Sequence, residues 1–456
     1  MDRSRWITTA GLAAALVLAL APAARGADET DAELRERVQV LEQELGLLKR
    51  RLEVKDEEAA AKAATTVQVG AGVDGFFLRT PDQKFQLKLR GYTQFDSRWF
   101  TEDENAGVDS FYFRRVRPIV EGTLFENIDF KIMPDFAGST VVLYDAYANL
   151  HYWNLAQLQL GKYKPPVGLE RLQSATSLMF IERAFPTQLV PNRDLGVMLQ
   201  GNTESQLFSY QVGAFNGVRD GGNAENSDVD TDDGKDVAAR VFFHPFVDSR
   251  IAPLEGLGLG FATTWGQEKQ APPSYKTTGG QTFFAYRGAS GTTPAVREEG
   301  ARLRLAPQAY WYWGPAGLLG EYVRSNEHMK RGSSNVTADQ VAWQASATYL
   351  LTGEAASYKG VVPLEPFQPS KGGWGAWELA ARFHSIRLDD DVFPFFANPD
   401  TAASSAEAFA FGVNWYMSRW TKFVVNYEHT WFDGGAPGGK NRDTEGVVLT
   451  RFQLSY

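Results

Sequence analysis

The chain has 456 residues, a formal charge of −9 and no cysteine, so a disulfide framework and thiolate chemistry are excluded. Mean hydropathy is −0.31. After the N-terminus no stretch reaches about 18 uncharged apolar residues, which excludes a spanning helix but not spanning strands. The 30 Phe, 17 Tyr and 12 Trp suit the aromatic girdles of a barrel in lipid.

In chain order, Arg3 and Arg5 precede an apolar run from Gly11 to Leu20, followed by small residues from Ala21 to Ala27. This pattern predicts a signal peptide over 1–26, cut after Ala23 or Gly26, and hence export. Leu34, Val38, Leu41, Leu45, Leu48 and Leu52 then follow the 4-3 spacing of a heptad seam, with Glu, Arg, Gln and Lys at most other positions. A helical rod of roughly 40 Å is expected. Its exposed leucines call for partner helices, and the alternative is a single helix lying on the rest of the molecule. Residues 27–66 are therefore read as a periplasmic coiled coil closed by a small-residue linker at Ala59 to Thr66, and 67–456 as a membrane domain.

Sixteen candidate strands follow, near 85–100, 111–125, 127–137, 140–151, 155–162, 194–201, 206–216, 236–244, 257–266, 301–313, 316–327, 338–352, 374–388, 405–417, 420–432 and 444–456. Several alternate strictly. Phe85, Leu87, Leu89, Phe95 and Trp99 oppose Lys88, Arg90, Gln94, Asp96 and Arg98. Val116, Pro118 and Val120 oppose Arg115, Arg117 and Glu121. In the last strand Val448, Phe452, Leu454 and Tyr456 oppose Arg451, Gln453 and Ser455. One oily and one wet face on so many strands predicts an all-β transmembrane barrel of 16 antiparallel strands. Short turns at Glu126, 152–154, 201–204, 314–315 and 418–419 alternate with longer connections at 101–110, 163–193, 217–235, 267–300, 328–337, 389–404 and 433–443. That rhythm fits periplasmic turns and outer loops. Segment 353–373 breaks it, being long where a short turn is due.

The motifs resemble those of the phosphate-selective porin O and P family over roughly 75–456. The similar segments begin with Phe85-Gln86-Leu87-Lys88-Leu89-Arg90-Gly91, Phe113-Arg114-Arg115-Val116-Arg117-Pro118 and Gly122-Thr123-Leu124-Phe125. They continue through Asp145-Ala146-Tyr147, the stretch from Gly161 to Glu170, Phe180-Ile181-Glu182-Arg183 and Asn192-Arg193-Asp194-Leu195-Gly196-Val197. Tyr349 to Glu354 and Gly375 to Arg382 complete them. The resemblance implies a sixteen-stranded, trimeric outer-membrane barrel that passes small anions, phosphate among the candidates. The Thr-Gly-Glu segment places the misfit at 353–373 within the family pattern.

A barrel of this size must be narrowed. The connection 163–193 is expected to fold inward as the constriction, packed by Met179, Phe180, Ile181 and Phe185. Lys162, Lys164, Arg171, Arg183 and Arg193 would face the channel, with Glu170 and Glu182 as counterions. Lys88, Arg90, Arg98, Arg115 and Arg117 share the lumen phase of the first two strands. Arg287, with Lys269, Lys276 and Arg297, would add basic groups from the loop 267–300. Such residues concentrate anions in a low-dielectric pore, and arginine offers bidentate donors to oxyanions. The acidic run 217–235 works against this at the mouth. It does not meet the calcium-loop pattern at its Gly and Glu positions, and bridging through divalent cations to lipopolysaccharide is the plainer role. Of His151, His244, His328, His384 and His429, none has metal-ligand spacing from another. No catalytic, metal, cofactor or nucleic-acid site is expected. The alternatives are a barrel hydrolase and an envelope tether acting through the helix.

Overall fold

The computed structural model describes residues 31–72, 75–101, 107–224 and 233–456. The predicted signal peptide and the Asp-rich stretch 225–232 lie outside the described residues. The chain divides into two compact units, Met1–Thr66 and Val67–Tyr456.

Among its described residues the first unit is one helix, α1 (Asp31–Thr65). It runs on through the stretch read as a linker, because alanine at 59–61, 63 and 64 is the strongest helix former. The heptad seam is open to solvent along its length, Leu41 being 62% and Leu52 60% exposed.

The second unit contains a barrel of sixteen strands: β1 (Gln86–Phe100), β2 (Ser110–Leu124), β3 (Ile128–Asp135), β4 (Val142–Trp153), β5 (Ala156–Tyr163), β6 (Asp194–Asn202), β7 (Phe208–Phe215), β8 (Asp236–Phe243), β9 (Leu257–Gln270), β10 (Arg297–Trp313), β11 (Ala316–Arg331), β12 (Ser334–Leu350), β13 (Ala376–Arg387), β14 (Ala403–Tyr416), β15 (Thr421–Ala436) and β16 (Glu445–Ser455). Each pairs antiparallel with its sequence neighbours. β16 closes the cylinder on β1, from Val447 opposite Phe100 to Ser455 opposite Tyr92. A hairpin, Gln68–Gly72 with Gly75–Arg79, continues the sheet beside the first residues of β1.

The alternation is realised as expected. Phe95, Trp99, Phe409, Phe411, Phe452 and Leu454 point outward and are exposed, while Gln94, Asp96, Ala408, Ala410, Arg451 and Gln453 are buried within. Two connections differ from the expected rhythm. The longer connection expected at 328–337 is strand, since β11 and β12 pair up to Arg331 opposite Ser334. Gly332, at φ 62°, makes the tight turn there. Segment 351–375, by contrast, is an ordered turn with its own apolar cluster of Leu350, Ala356, Val361, Ala376 and Tyr416.

Candidate functional site

The connection between β5 and β6 lies inside the barrel. Apolar side chains dock it against the far wall. Phe180 packs with Ala380 and Ala410, Ile181 with Val424, Val447 and Leu449, and Met179 beside Phe180. Phe185 is fully buried and its ring lies 4.3 Å from that of His384. Each such burial is worth about 2 kcal/mol. Wall side chains then satisfy the loop backbone, which has no ladder of its own. Glu321 accepts from Leu169 N at 2.6 Å, Asn426 from Ile181 N at 2.7 Å and His384 from Phe185 N at 3.2 Å. Gln94 donates to Ala175 O at 3.0 Å, Asn414 to Met179 O at 2.9 Å and Lys422 to Leu178 O at 2.8 Å.

Between this loop and the wall of the early strands lies a cavity of about 1030 Å³. The tip of the loop between β9 and β10 reaches it, held by Thr277 and Thr278 donating to Glu445 and Glu428. Nine arginines (90, 98, 114, 115, 117, 171, 183, 193 and 219) and three lysines (131, 164 and 276) line the cavity, against four carboxylates, Glu121, Asp145, Glu182 and Asp220. The excess of positive charge is what an anion meets on entry.

Eight of the eleven residues expected to face the channel line this cavity: Arg90, Arg98, Arg115, Arg117, Lys164, Arg171, Arg183 and Arg193. Three do not. Lys88 lies on β1 opposite Glu121, off the cavity. Lys162 is buried and donates to Ala224 O at 2.6 Å. Arg287 donates to Pro394 O and Asn398 Oδ1, at 3.0 and 3.1 Å, and so braces one loop against another. Strand phase alone does not separate such residues, because a neighbouring loop can cover a side chain that faces inward.

Arg114 was missed for a definite reason. Alternation from Arg115 and Arg117 puts it on the lipid side. A β-bulge between Gln94 and Phe95 shifts the register, so that Gln94 faces Arg115 while Phe95 faces Phe113. The extra residue turns inward with its neighbour. The Arg-Arg pair was the available signal. Arg114 meets Glu182 across the cavity, at 2.5 Å through Nε and 3.1 Å through Nη2.

The wall arginines are largely compensated. Arg90 pairs with Glu121 at 2.8 Å, Arg117 with Asp135 at 2.7 Å and Arg193 with Asp145 at 3.1 Å. Arg117 and Arg193 also flank the Tyr144 ring, at 3.8 and 4.9 Å. The loop cations are different. Lys164 donates to Leu172 O and Gln173 O, Arg183 to Glu170 O and Gln173 O, and Arg171 to Asn192 Oδ1 and Thr187 O. All of these acceptors are neutral. Glu170 and Glu182 form no close ion pair with the loop cations and act on Arg183 only at longer range. Glu182 pairs with Arg114, and the Glu170 carboxylate accepts from Ala184 N at 2.8 Å and lies 3.6 Å from Arg382.

Titration follows the same geometry. Burial, reinforced by the Arg193 and Arg183 charges, holds the Lys164 ammonium well below its usual range. Burial with Arg183 and Arg193 lowers Arg171 to about 9, and burial with Arg193 lowers Arg183 to about 10 although Glu170 and Glu182 act the other way. Burial alone would raise the Glu182 carboxyl, but Arg114, Arg115 and Arg451 bring it down to about 2.

A closed barrel with an apolar exterior, narrowed by an inward loop around a basic cavity, defines a porin. The pattern described as phosphate-selective porin O and P matches residues 85–456, and the chain belongs to that family. It is 25% identical to porin O of Pseudomonas aeruginosa over 437 residues, covering 87% of this chain and 96% of that one. Among solved structures it is similar in fold to the outer-membrane channel DcaP of Acinetobacter baumannii. That match has 14% identity and a TM-score of 0.52, and covers 82% of this chain and 97% of that one. An anion-selective porin from Comamonas acidovorans matches at 13% identity and TM-score 0.50, covering 81% and 99%. OmpT of Vibrio cholerae, in a trimer form, matches at 11% and 0.50, covering 81% and 99%. The protein is an outer-membrane anion channel, not an enzyme.

Proposed function

We propose that the channel favours small oxyanions, phosphate among them, which pass between the inward loop and the early strands. One observation carries this reading: Lys164, Arg171 and Arg183 line the cavity, their hydrogen bonds go to neutral oxygens, and no carboxylate forms a close ion pair with them among the described residues. Guanidinium groups in such a place bind oxyanions through paired charge-assisted hydrogen bonds. The loop 163–193 is the constriction. Arg90, Arg98, Arg114, Arg115, Arg117 and Arg193 form the approach to it.

We further read residues 1–26 as removed on export, α1 as periplasmic, and the protein as a homotrimer within outer-membrane lipid. The open heptad seam supports association, since a lone helix would leave six apolar residues in water. Planar-bilayer recordings in asymmetric salt test the channel. A reversal potential on the anion side and a chloride current that phosphate blocks are expected. Reversal toward the cation side would overturn the anion reading, and anion selectivity without block would leave a general anion porin.

A further inference from the structure

On the wall formed by β8 to β11, acids outnumber bases in a buried cluster. Arg302 pairs with Asp236, Glu268 and Glu298 at 2.9, 2.6 and 3.0 Å. Arg304 pairs with Asp236 at 3.1 Å and with Asp220, from the loop between β7 and β8, at 2.7 Å. A fifth carboxyl, Glu327 on β11, is fully buried beside them. Among the described residues it forms no ion pair, and it accepts from Ser325 Oγ at 3.1 Å. Five carboxyls around two guanidiniums leave an excess of acid that a dry site does not hold as charge. Glu327 lies within hydrogen-bonding reach of Asp220. Each of the two leaves one buried oxygen without a donor, Glu327 Oε2 and Asp220 Oδ2. Two ionised carboxylates in that contact would repel, whereas one proton between them satisfies both oxygens.

We propose that Asp220 and Glu327 share a proton, and that this proton latches the loop 217–224 to the barrel wall, so that the loop loosens as pH rises. The inference does not depend on which anion passes. It matters to the channel because Arg219 to Asn223 line the cavity. The other ties of this loop do not depend on that proton. Arg304 donates to Val218 O at 3.1 Å, Arg219 N to Gln270 Oε1 at 3.0 Å and Lys162 to Ala224 O at 2.6 Å. Asp194 on β6 accepts from Gly217 N at 2.9 Å, a bond its ionised form makes best, so it works against the latch. Tyr275 and Tyr286, from the connection between β9 and β10, face the pair and stay neutral below about pH 10. Once the proton leaves, Glu327 meets the like charges of Asp220 and Glu298, with Arg302 as the cation nearest to it. The linkage has one sign: the released loop binds one proton fewer than the latched loop, so release is favoured by rising pH.

Thiol labelling of the full chain in detergent tests it. The protein has no cysteine, so V218C carries a single thiol. Val218 is 7% exposed, and a maleimide reaches that position when the loop lifts. A separate N335C variant, at an exposed position beside the β11–β12 turn, calibrates the pH dependence of the thiol itself. The ratio of the two labelling rates is followed from about pH 5 to about pH 8. It is expected to climb by up to tenfold per pH unit, the slope for release of one proton on opening. In the V218C background, E327Q places a permanent amide donor against Asp220, and the ratio should stay low and flat. E327A leaves Asp220 to Arg304 alone, and the ratio should be higher but also flat. The alanine variant keeps the test open if the amide does not fit. A ratio that is level or falls with pH in the E327 protein overturns the proposal. So does a ratio that climbs in E327Q or E327A as steeply as in the E327 protein.

Discussion

Glu182 offers the sharpest test of the cavity electrostatics. Its carboxylate is the one acid of the inward loop that lines the cavity, 2.5 Å from Arg114 and 3.8 Å from Arg451. It titrates at about 2, so it is charged under all working conditions. In E182Q the amide oxygen still accepts from Arg114, but one negative charge leaves the pore. For an anion passing about 6 Å away, in a wet pore of effective dielectric about 60, the gain is about 1 kcal/mol, or about fivefold in partition. The cation loses what the anion gains, so the chloride-to-potassium permeability ratio, read from reversal potentials in a tenfold salt gradient, should rise by about that factor squared, roughly 20-fold. The effect should fade at 1 M salt, where the Debye length is about 3 Å. E182A removes the same charge and also the hydrogen bond, so it should give the same ratio with a noisier current. A ratio unchanged or lower in E182Q would refute the assignment of this cavity as the ion path.

The ammonium of Lys164 is held low by burial and by Arg193 and Arg183, with Asp145 opposing and Arg171 adding to the shift. A depressed cation is lost as pH rises, so anion preference should weaken over the pH range below the ordinary lysine pKa, whereas K164R should hold its selectivity further up that range. Reversal potentials across the range check both. Removing 172–185 takes away the docked segment, including Phe180, Ile181 and Phe185, and should raise single-channel conductance severalfold; conductance equal to wild type would show that the loop does not constrict. Replacing Leu41 and Leu45 by Asp, at seam positions 62% and 56% exposed, should lower the assembled mass or its thermal stability in detergent while leaving the β circular dichroism intact.

The barrel was readable because its signal repeats. Each strand needs only a period of two, and sixteen near-copies of that pattern correct one another, so Phe409 and Phe411 declare the outside as clearly as Phe452 and Leu454 do. What the period cannot express is a departure from itself. The bulge at Gln94 and Phe95 turns Arg114 inward, and nothing in a strict alternation marks the position where it breaks. The docking of 163–193 was legible in its mixture of Met179, Phe180, Ile181 and Phe185 with charged neighbours. The partners of those charges were not. Glu170 and Glu182 look like local counterions, yet they pair with Arg382 and Arg114, which come from β13 and β2. Arg287 likewise fits an anion path by type, and only the fold shows it spent on Pro394 and Asn398. Residue type reports which chemistry is present, and contacts distant in sequence decide which of it faces water.

The long turn 351–375 also holds the constriction. It folds back from the end of the barrel that holds Tyr456, and Tyr358 OH donates to Leu169 O at 2.6 Å. Gln173 donates to Tyr358 O, and Ser177 to Lys359 O, each at 2.7 Å. The Tyr358 ring stacks on Tyr310, centroids 5.2 Å apart. The inward loop is therefore gripped twice, by the wall and by this turn, and the turn's unusual length is what lets it reach. Y358F removes one hydrogen bond and keeps the stack, a loss of about 1 kcal/mol. Y358A also removes the ring, and a buried aromatic truncated to alanine costs about 3–5 kcal/mol. If the turn braces the constriction, loop protection in hydrogen exchange should fall in the order wild type, Y358F, Y358A, while β14 stays protected. Equal loop protection in wild type and Y358A would mean that the wall contacts alone hold the loop, and that the turn serves the barrel mouth instead.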